Sequence, residues 1–243
     1  MAIGRGVRVL ADMSETDASD ASDKAAEFSR RPIAARNTRW AARVAARLAR
    51  AGVTPNGISI AGIVFSAAAG AALLATRRTA PAIDVLLYVL AVAGIQARLL
   101  CNLFDGMVAV EGGKKGKAGE VFNDFPDRIA DPLVLVCAGY AAGGAWGAWG
   151  VSLGWLAALL AVMTAYVRVL GRSLGTPIYF LGPMAKQHRM ATLTAACLFA
   201  MIGTFWRRDD DIFIVALAII CVGCMITVAR RTRKIIRDLE ARP

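Results

Sequence analysis

Apolar residues gather into six long stretches, at about 58–76, 82–104, 129–147, 149–170, 190–206 and 211–229, divided by short polar or basic connections. Each is close to the length a helix needs to cross about 30 Å of hydrocarbon. Several are rich in small residues, as in Ala67–Ala72 and Ala141–Ala145, which lets helix backbones approach closely. The pattern predicts an all-α integral membrane protein with six transmembrane helices. Ahead of them, over 31–50, Trp40, Val44 and Leu48 recur at helical spacing while arginines fill the other faces. This predicts an amphipathic helix lying along the membrane interface. Thr54-Pro55-Asn56 ends that helix before the first span.

Residues 1–29 have a different character. Asp12, Glu15, Asp17, Asp20, Asp23 and Glu27 alternate with Ser and Ala, with few large apolar groups, the composition of a disordered tail. No apolar core follows Met1 as a signal peptide requires. The expected organisation is a tail over 1–29, a membrane domain over 30–235 and a basic tail over 236–243. Composition supports it: 57% of the 243 residues are hydrophobic, too many for an ordinary soluble domain.

The formal charge of +11 changes the picture through its distribution. Arg30 to Arg50, Lys114 to Lys117, Lys186 with Arg189, and Arg230 to Arg242 fall in alternate connections. The opposite connections hold Arg77, Arg78, Arg207 and Arg208, the last two beside Asp209 to Asp211. The positive-inside rule places both termini on the cytoplasmic side. The charge thus reads as contact with lipid headgroups and phosphate, and not with nucleic acid, which would leave the spans unexplained. The five cysteines all lie in predicted spans. Cys221-x-x-Cys224 sits in an apolar helix without the βαβ setting of a redox pair, so it reads as packing. No nucleophile elbow or Ser/His/acid set is present.

The chemistry concentrates between residues 98 and 131. Asn102 and Asp105 are three apart and Asn123 and Asp127 four apart, so each pair shares a helical face at the end of a predicted span. Oxygen ligands converging from two helices suit a hard cation such as Mg²⁺ or Mn²⁺. Ionisable groups at membrane depth are costly enough to be functional candidates. Arg98 lies one turn before Asn102 on the same face. Arg168, Arg172, Lys186 and Arg189 flank the connection between the fourth and fifth spans, where they are either anion-binding groups or topogenic anchors.

Asn102-x-x-Asp105-Gly106-x-x-Ala109, followed by Gly119-x-x-x-Asn123-x-x-x-Asp127, resembles the signature of the CDP-alcohol phosphotransferases. In that family the pattern is D-x-x-D-G-x-x-A-R, eight residues, then G-x-x-x-D-x-x-x-D. Six spans, a leading surface helix and a Thr-Pro-Asn before the first span are also similar, so the resemblance covers about 31–235. It implies metal-dependent transfer of a phosphoalcohol, here phosphatidyl, from a CDP-linked donor such as CDP-diacylglycerol to an alcohol acceptor, releasing CMP in phospholipid biosynthesis. It also implies a homodimer and a bacterial inner membrane. Carried over by position, Asn102, Asp105, Asn123 and Asp127 become metal ligands and Asp127 the proton acceptor, with Asp131 as the alternative base. Gly106, Ala109 and Gly119 would face the nucleotide, although small residues there also serve helix packing. Arg98, Arg168, Lys186 and Arg189 would meet phosphate.

The departures are Asn102 and Asn123 for aspartates, and Val110 for the arginine. An Asn carbonyl still ligates a hard cation but brings a dipole in place of a charge, which favours one metal over a two-metal cluster. The alternatives to phosphatidyl transfer are a CDP-choline or CDP-ethanolamine type of transferase acting on a lipid alcohol, and a non-catalytic membrane scaffold.

Overall fold

The structure, a computed structural model, describes residues 38–76, 80–111, 119–143, 147–206 and 208–242; the side chains of Glu111, Glu120, Asn123 and Asp210 lie outside that description. The expected tail over 1–29, the start of the surface helix at 31–37, and Arg77, Arg78, Lys114, Lys115, Lys117 and Arg207 also fall outside the described residues.

Seven α-helices are present among the described residues, with no strand. They are α1 (Arg39–Arg50), α2 (Pro55–Ala75), α3 (Pro81–Glu111), α4 (Gly119–Ala141), α5 (Gly147–Ser173), α6 (Lys186–Gly203, continued by a 3₁₀ turn over Thr204–Trp206) and α7 (Asp209–Glu240). Five stretches are long and apolar enough to cross a membrane: Pro55–Ala75, Pro81–Val110, Gly147–Ser173, Lys186–Trp206 and Asp211–Glu240. Their outward faces carry Val64, Leu159, Phe199 and Ile219, each more than half exposed. Apolar side chains on the outside of a bundle with an apolar core are what lipid as solvent demands.

The third expected span, 129–147, needs correction. The helix that includes it runs over Gly119–Ala141, not 129–147, and is not among the five apolar spans. Asp124, Asp127 and Arg128 occupy its first half and Asp131 its middle, and Pro126 and Pro132 lie inside it. The apolar reading therefore began too late. At the other end, the Ala/Gly run after Ala141 reads as helix in hydropathy, yet the helix stops there.

Local chemistry accounts for the element boundaries. Gly52, at φ +78°, closes α1, with its N–H bonded to Ala49 O and the Val53 N–H to Leu48 O. Thr54 Oγ1 then accepts from the Gly57 N–H at 3.1 Å, and Pro55 takes the first helical position, where an N–H would have no partner. On α1, Ala41 and Ala45 are the fully buried residues, with Val44 and Leu48 half-buried. Trp40 meets Phe104 of α3 edge-to-face, ring centroids 5.9 Å apart. The expected stripe of Trp40, Val44 and Leu48 thus borders the contact face, whose centre is alanine.

Helices α2 to α7 pack around a core that includes Leu73, Tyr88, Ile95, Leu135, Leu193 and Phe213. Small residues set a close crossing between α4 and α5. A Cβ on Gly154 would stand 2.8 Å from Gly139 Cα, so nothing larger than hydrogen fits. α3 is 31 residues long. Counted from Pro81, Asn102 lies about 32 Å along the axis, roughly one hydrocarbon thickness. The polar residues of its last turns therefore sit at the rim of the apolar layer.

Candidate functional site

At that rim α3 faces the first half of α4, and a narrow cavity opens between them. Ser59 and Gly62 of α2 line it, with Arg98, Cys101, Asn102 and Asp105 of α3, and Pro126, Asp127 and Ala130 of α4. Its free volume is about 10 Å³, room for about one water-sized sphere.

Asp105 is buried and held from two sides. Its Oδ2 accepts from Ser59 Oγ at 3.0 Å, and its Oδ1 from the Gly106 N–H at 2.5 Å. Asp127, across the cavity, is more crowded. Its Oδ1 accepts from Arg98 Nη2 at 2.8 Å, Asn102 Nδ2 lies 3.3 Å from both its oxygens, and Lys186 Nζ reaches Oδ2 from the start of α6. Asn102, Asp105, Arg98, Lys186 and Asp127 are thus brought together from three helices.

A second layer lies behind them. Arg98 Nη2 is also 2.5 Å from Asp131 Oδ1, and Arg189 Nη2 donates to Asp131 Oδ2 at 2.7 Å. Arg189 Nη1 donates to Thr164 Oγ1 and Met184 O. The carbonyl of Thr164 takes Arg231 Nη1 at 2.6 Å. Arg98, Asp131 and Arg189 are all buried, a costly arrangement that alternation of sign makes tolerable. Arg98 nonetheless keeps Nε and Nη1 buried without a hydrogen-bond partner. Buried guanidinium N–H groups without a partner are costly and call for a water or an anion.

The remaining expected residues are less central. Asp131 does not line the cavity. Arg168 Nη2 donates to Asp124 Oδ1 at 2.6 Å, which also takes Arg128 at 2.9 Å, so Arg168 is engaged away from the cavity. Ala109 is half-buried and outside the lining, as is Gly106, whose contribution is its N–H. A Cβ on Gly119 would meet nothing within 4 Å, so packing does not require glycine there. The side chain of Asn123 lies outside the description. Sequence reasoning missed Ser59, 46 residues from Asp105, and Pro126 in the cavity wall.

The donor set bears on a metal. Among the described residues no three His, Cys, Asp or Glu side chains converge into a binding group. Two carboxylates and the carboxamide of Asn102 do line the cavity between α3 and α4. These oxygen donors around a space of that size fit a single Mg²⁺ or Mn²⁺, and the lone thiol of Cys101 in the wall does not make a soft-metal site.

No family model matches the sequence, and no curated protein matches it. The fold does have solved counterparts. The chain superposes on the phosphatidylinositol phosphate synthase of Mycobacterium tuberculosis in complex with manganese and citrate, with a TM-score of 0.64 and 19% identity, covering 80% of this chain and 88% of that one. The same enzyme with CDP-DAG bound gives a TM-score of 0.65 at 19% identity, over 82% and 94%. This chain shares their fold.

Proposed function

We propose that this protein is a membrane-embedded CDP-alcohol phosphotransferase, most simply a phosphatidyltransferase that uses CDP-diacylglycerol. The observation that carries the reading is the cavity between α3 and α4. It places Asp105, Asn102 and Asp127, the described oxygen-bearing positions of the signature, around one ion-sized space with a half-unpaired arginine in its wall. The fold shared with a synthase whose structures hold manganese or CDP-DAG supports it.

In this reading Asp105, Asn102 and Asp127 would hold one divalent cation, with Asn123 as a further ligand. When bound, the cation screens pyrophosphate charge and stabilises the departing CMP. Ser59 and the Gly106 N–H fix the Asp105 carboxylate for that task. Arg98 and Lys186 offer N–H groups to the donor phosphates. The acceptor hydroxyl oxygen attacks the phosphorus distal to cytidine, forming a new P–O bond. The bond to the bridging oxygen breaks, and the electron pair leaves with CMP. Asp127 takes the hydroxyl proton. Asp131, fully buried and outside the cavity lining, is assigned to positioning Arg98 and Arg189 and not to proton transfer. Arg168 and Arg189 support the site through Asp124 and Asp131. Gly119, in open space, leaves room for the nucleotide.

The same reading makes α4 a sixth crossing, buried by its neighbours, and puts the site and both termini on the cytoplasmic face of a bacterial inner membrane. The alternation of basic connections supports that orientation.

The test is CMP release from purified protein given CDP-diacylglycerol, Mg²⁺ or Mn²⁺ and pooled alcohols. Metal-dependent CMP with this donor supports the reading. CMP only from CDP-ethanolamine with diacylglycerol would move the protein to the amino-alcohol type. No CMP from any donor would leave a non-catalytic scaffold.

A further inference from the structure

A second cleft, of about 320 Å³, lies where the loop between α5 and α6 meets the C-terminal third of α7. It is lined by Leu181, Gly182, Arg230, Arg233, Lys234 and Arg237 and shares no residue with the Asp105 cavity. Its walls are fastened. Arg242 donates to Leu174 O and Gly175 O at 2.9 and 2.7 Å, the Tyr179 hydroxyl to Asp238, Arg231 Nε to Leu181 O at 2.9 Å, and the Met184 N–H to Thr227 Oγ1 at 3.0 Å. Gly182 makes the closest approach. Its φ is +112°, and a Cβ would stand 2.5 Å from Thr227 Oγ1.

Between these fastenings four cations share one face of α7, at spacings of three, four and seven residues. Lys234 is occupied: it donates to Asp238 at 2.6 Å and lies 5.5 Å over the Tyr179 ring. Arg230, Arg233 and Arg237 are exposed and have no hydrogen-bond or ion-pair partner among the described residues. Three unpaired like charges around one concave space repel each other unless an anion joins them. A planar guanidinium matches phosphate oxygens two at a time. The volume exceeds what a bare ion needs and falls at the low end for small organic ligands. Depth identifies the source. The cations start directly after the apolar run that ends at Ala229, and exposed Met225 and Ile226 lie one turn before them, with exposed Ile236 alongside. That places phosphate-binding groups at headgroup level with apolar surface next to them.

We propose that this cleft is a binding site for the phosphate of an anionic phospholipid headgroup. It stands independently of the transfer reaction proposed above.

The test is native mass spectrometry of the full chain in detergent, titrated with phosphatidylglycerol or with phosphatidylcholine of the same acyl chains. The parent protein should retain phosphatidylglycerol preferentially. Arg233→Gln with Arg237→Gln should lower that preference by about tenfold or more, at roughly fivefold per cation. Both side chains are exposed, so the fold does not depend on them. Arg43→Gln with Arg47→Gln removes equal charge from α1 and should change the preference less than about twofold. Equal losses in the two double variants, or none in either, would overturn the site and leave only diffuse positive charge. Displacement of the lipid by millimolar glycerol 1-phosphate would overturn the assignment to lipid in favour of a soluble phosphate ester.

Discussion

Arg98 of α3 and Asp131 of α4 form an ion pair with a 2.5 Å separation, and both side chains are sealed from solvent. The pair joins the two helices that carry the signature, and the same guanidinium nitrogen reaches Asp127 one turn earlier. Removing either partner leaves an uncompensated buried charge. Arg98→Ala and Asp131→Ala should each destabilise the protein by about 3 kcal/mol. Together they should cost clearly less than the sum, which thermal unfolding in detergent would read as a double-mutant cycle. Strict additivity would show that the contact is not energetically coupled.

Ser59 makes a finer test of the site. Its hydroxyl orients Asp105 from α2 without lining up with any part of the signature. Ser59→Ala should weaken Mn²⁺ binding by about 10- to 100-fold while the protein still folds. Titration followed by the paramagnetic resonance of free Mn²⁺ measures it. Unchanged affinity would mean that Asp105 does not need the hydroxyl, or does not hold the metal.

Much of this arrangement was legible in the sequence because it is local. Asn102 with Asp105, and Arg98 one turn before, share a face by helical spacing alone, and the structure turns that face toward Asp127. Ser59 was not legible: a serine in an apolar span carries no sign of a partner 46 residues away. Nor was the bond from Arg189 to Asp131, 58 residues apart, where the sequence showed only a basic connection. The limits of α4 were misread for a physical reason. Hydropathy reports the solvent a helix faces, and the first half of α4 faces charged partners inside the bundle.

The glycines of α4 and α5 also differ in what they do. Gly154, outside the signature, is held against Gly139, so Gly154→Val should destabilise by several kcal/mol or abolish expression. Gly119 has open space around its Cα. Gly119→Leu should leave thermal stability within about 0.5 kcal/mol and yet lower CMP release if the nucleotide occupies that space. Full activity in this variant would remove Gly119 from the site.

Asp127→Asn separates proton transfer from architecture. The amide keeps one oxygen, for Arg98, gives up the one that Lys186 reaches, and cannot act as base. CMP release should fall by about 10²- to 10⁴-fold, with the unfolding midpoint shifted far less than in Arg98→Ala. Near-normal turnover would transfer the proton-accepting role elsewhere.

The most direct measurement is an anomalous-scattering map of crystals soaked with Mn²⁺ and CDP-diacylglycerol. One peak should lie among Asp105, Asn102 and Asp127, at about 2.1–2.3 Å from carboxylate oxygens as for hard cations, with the donor pyrophosphate beside Arg98. A nucleotide bound with no metal at Asp105, or Mn²⁺ held anywhere else in the bundle, would contradict the account.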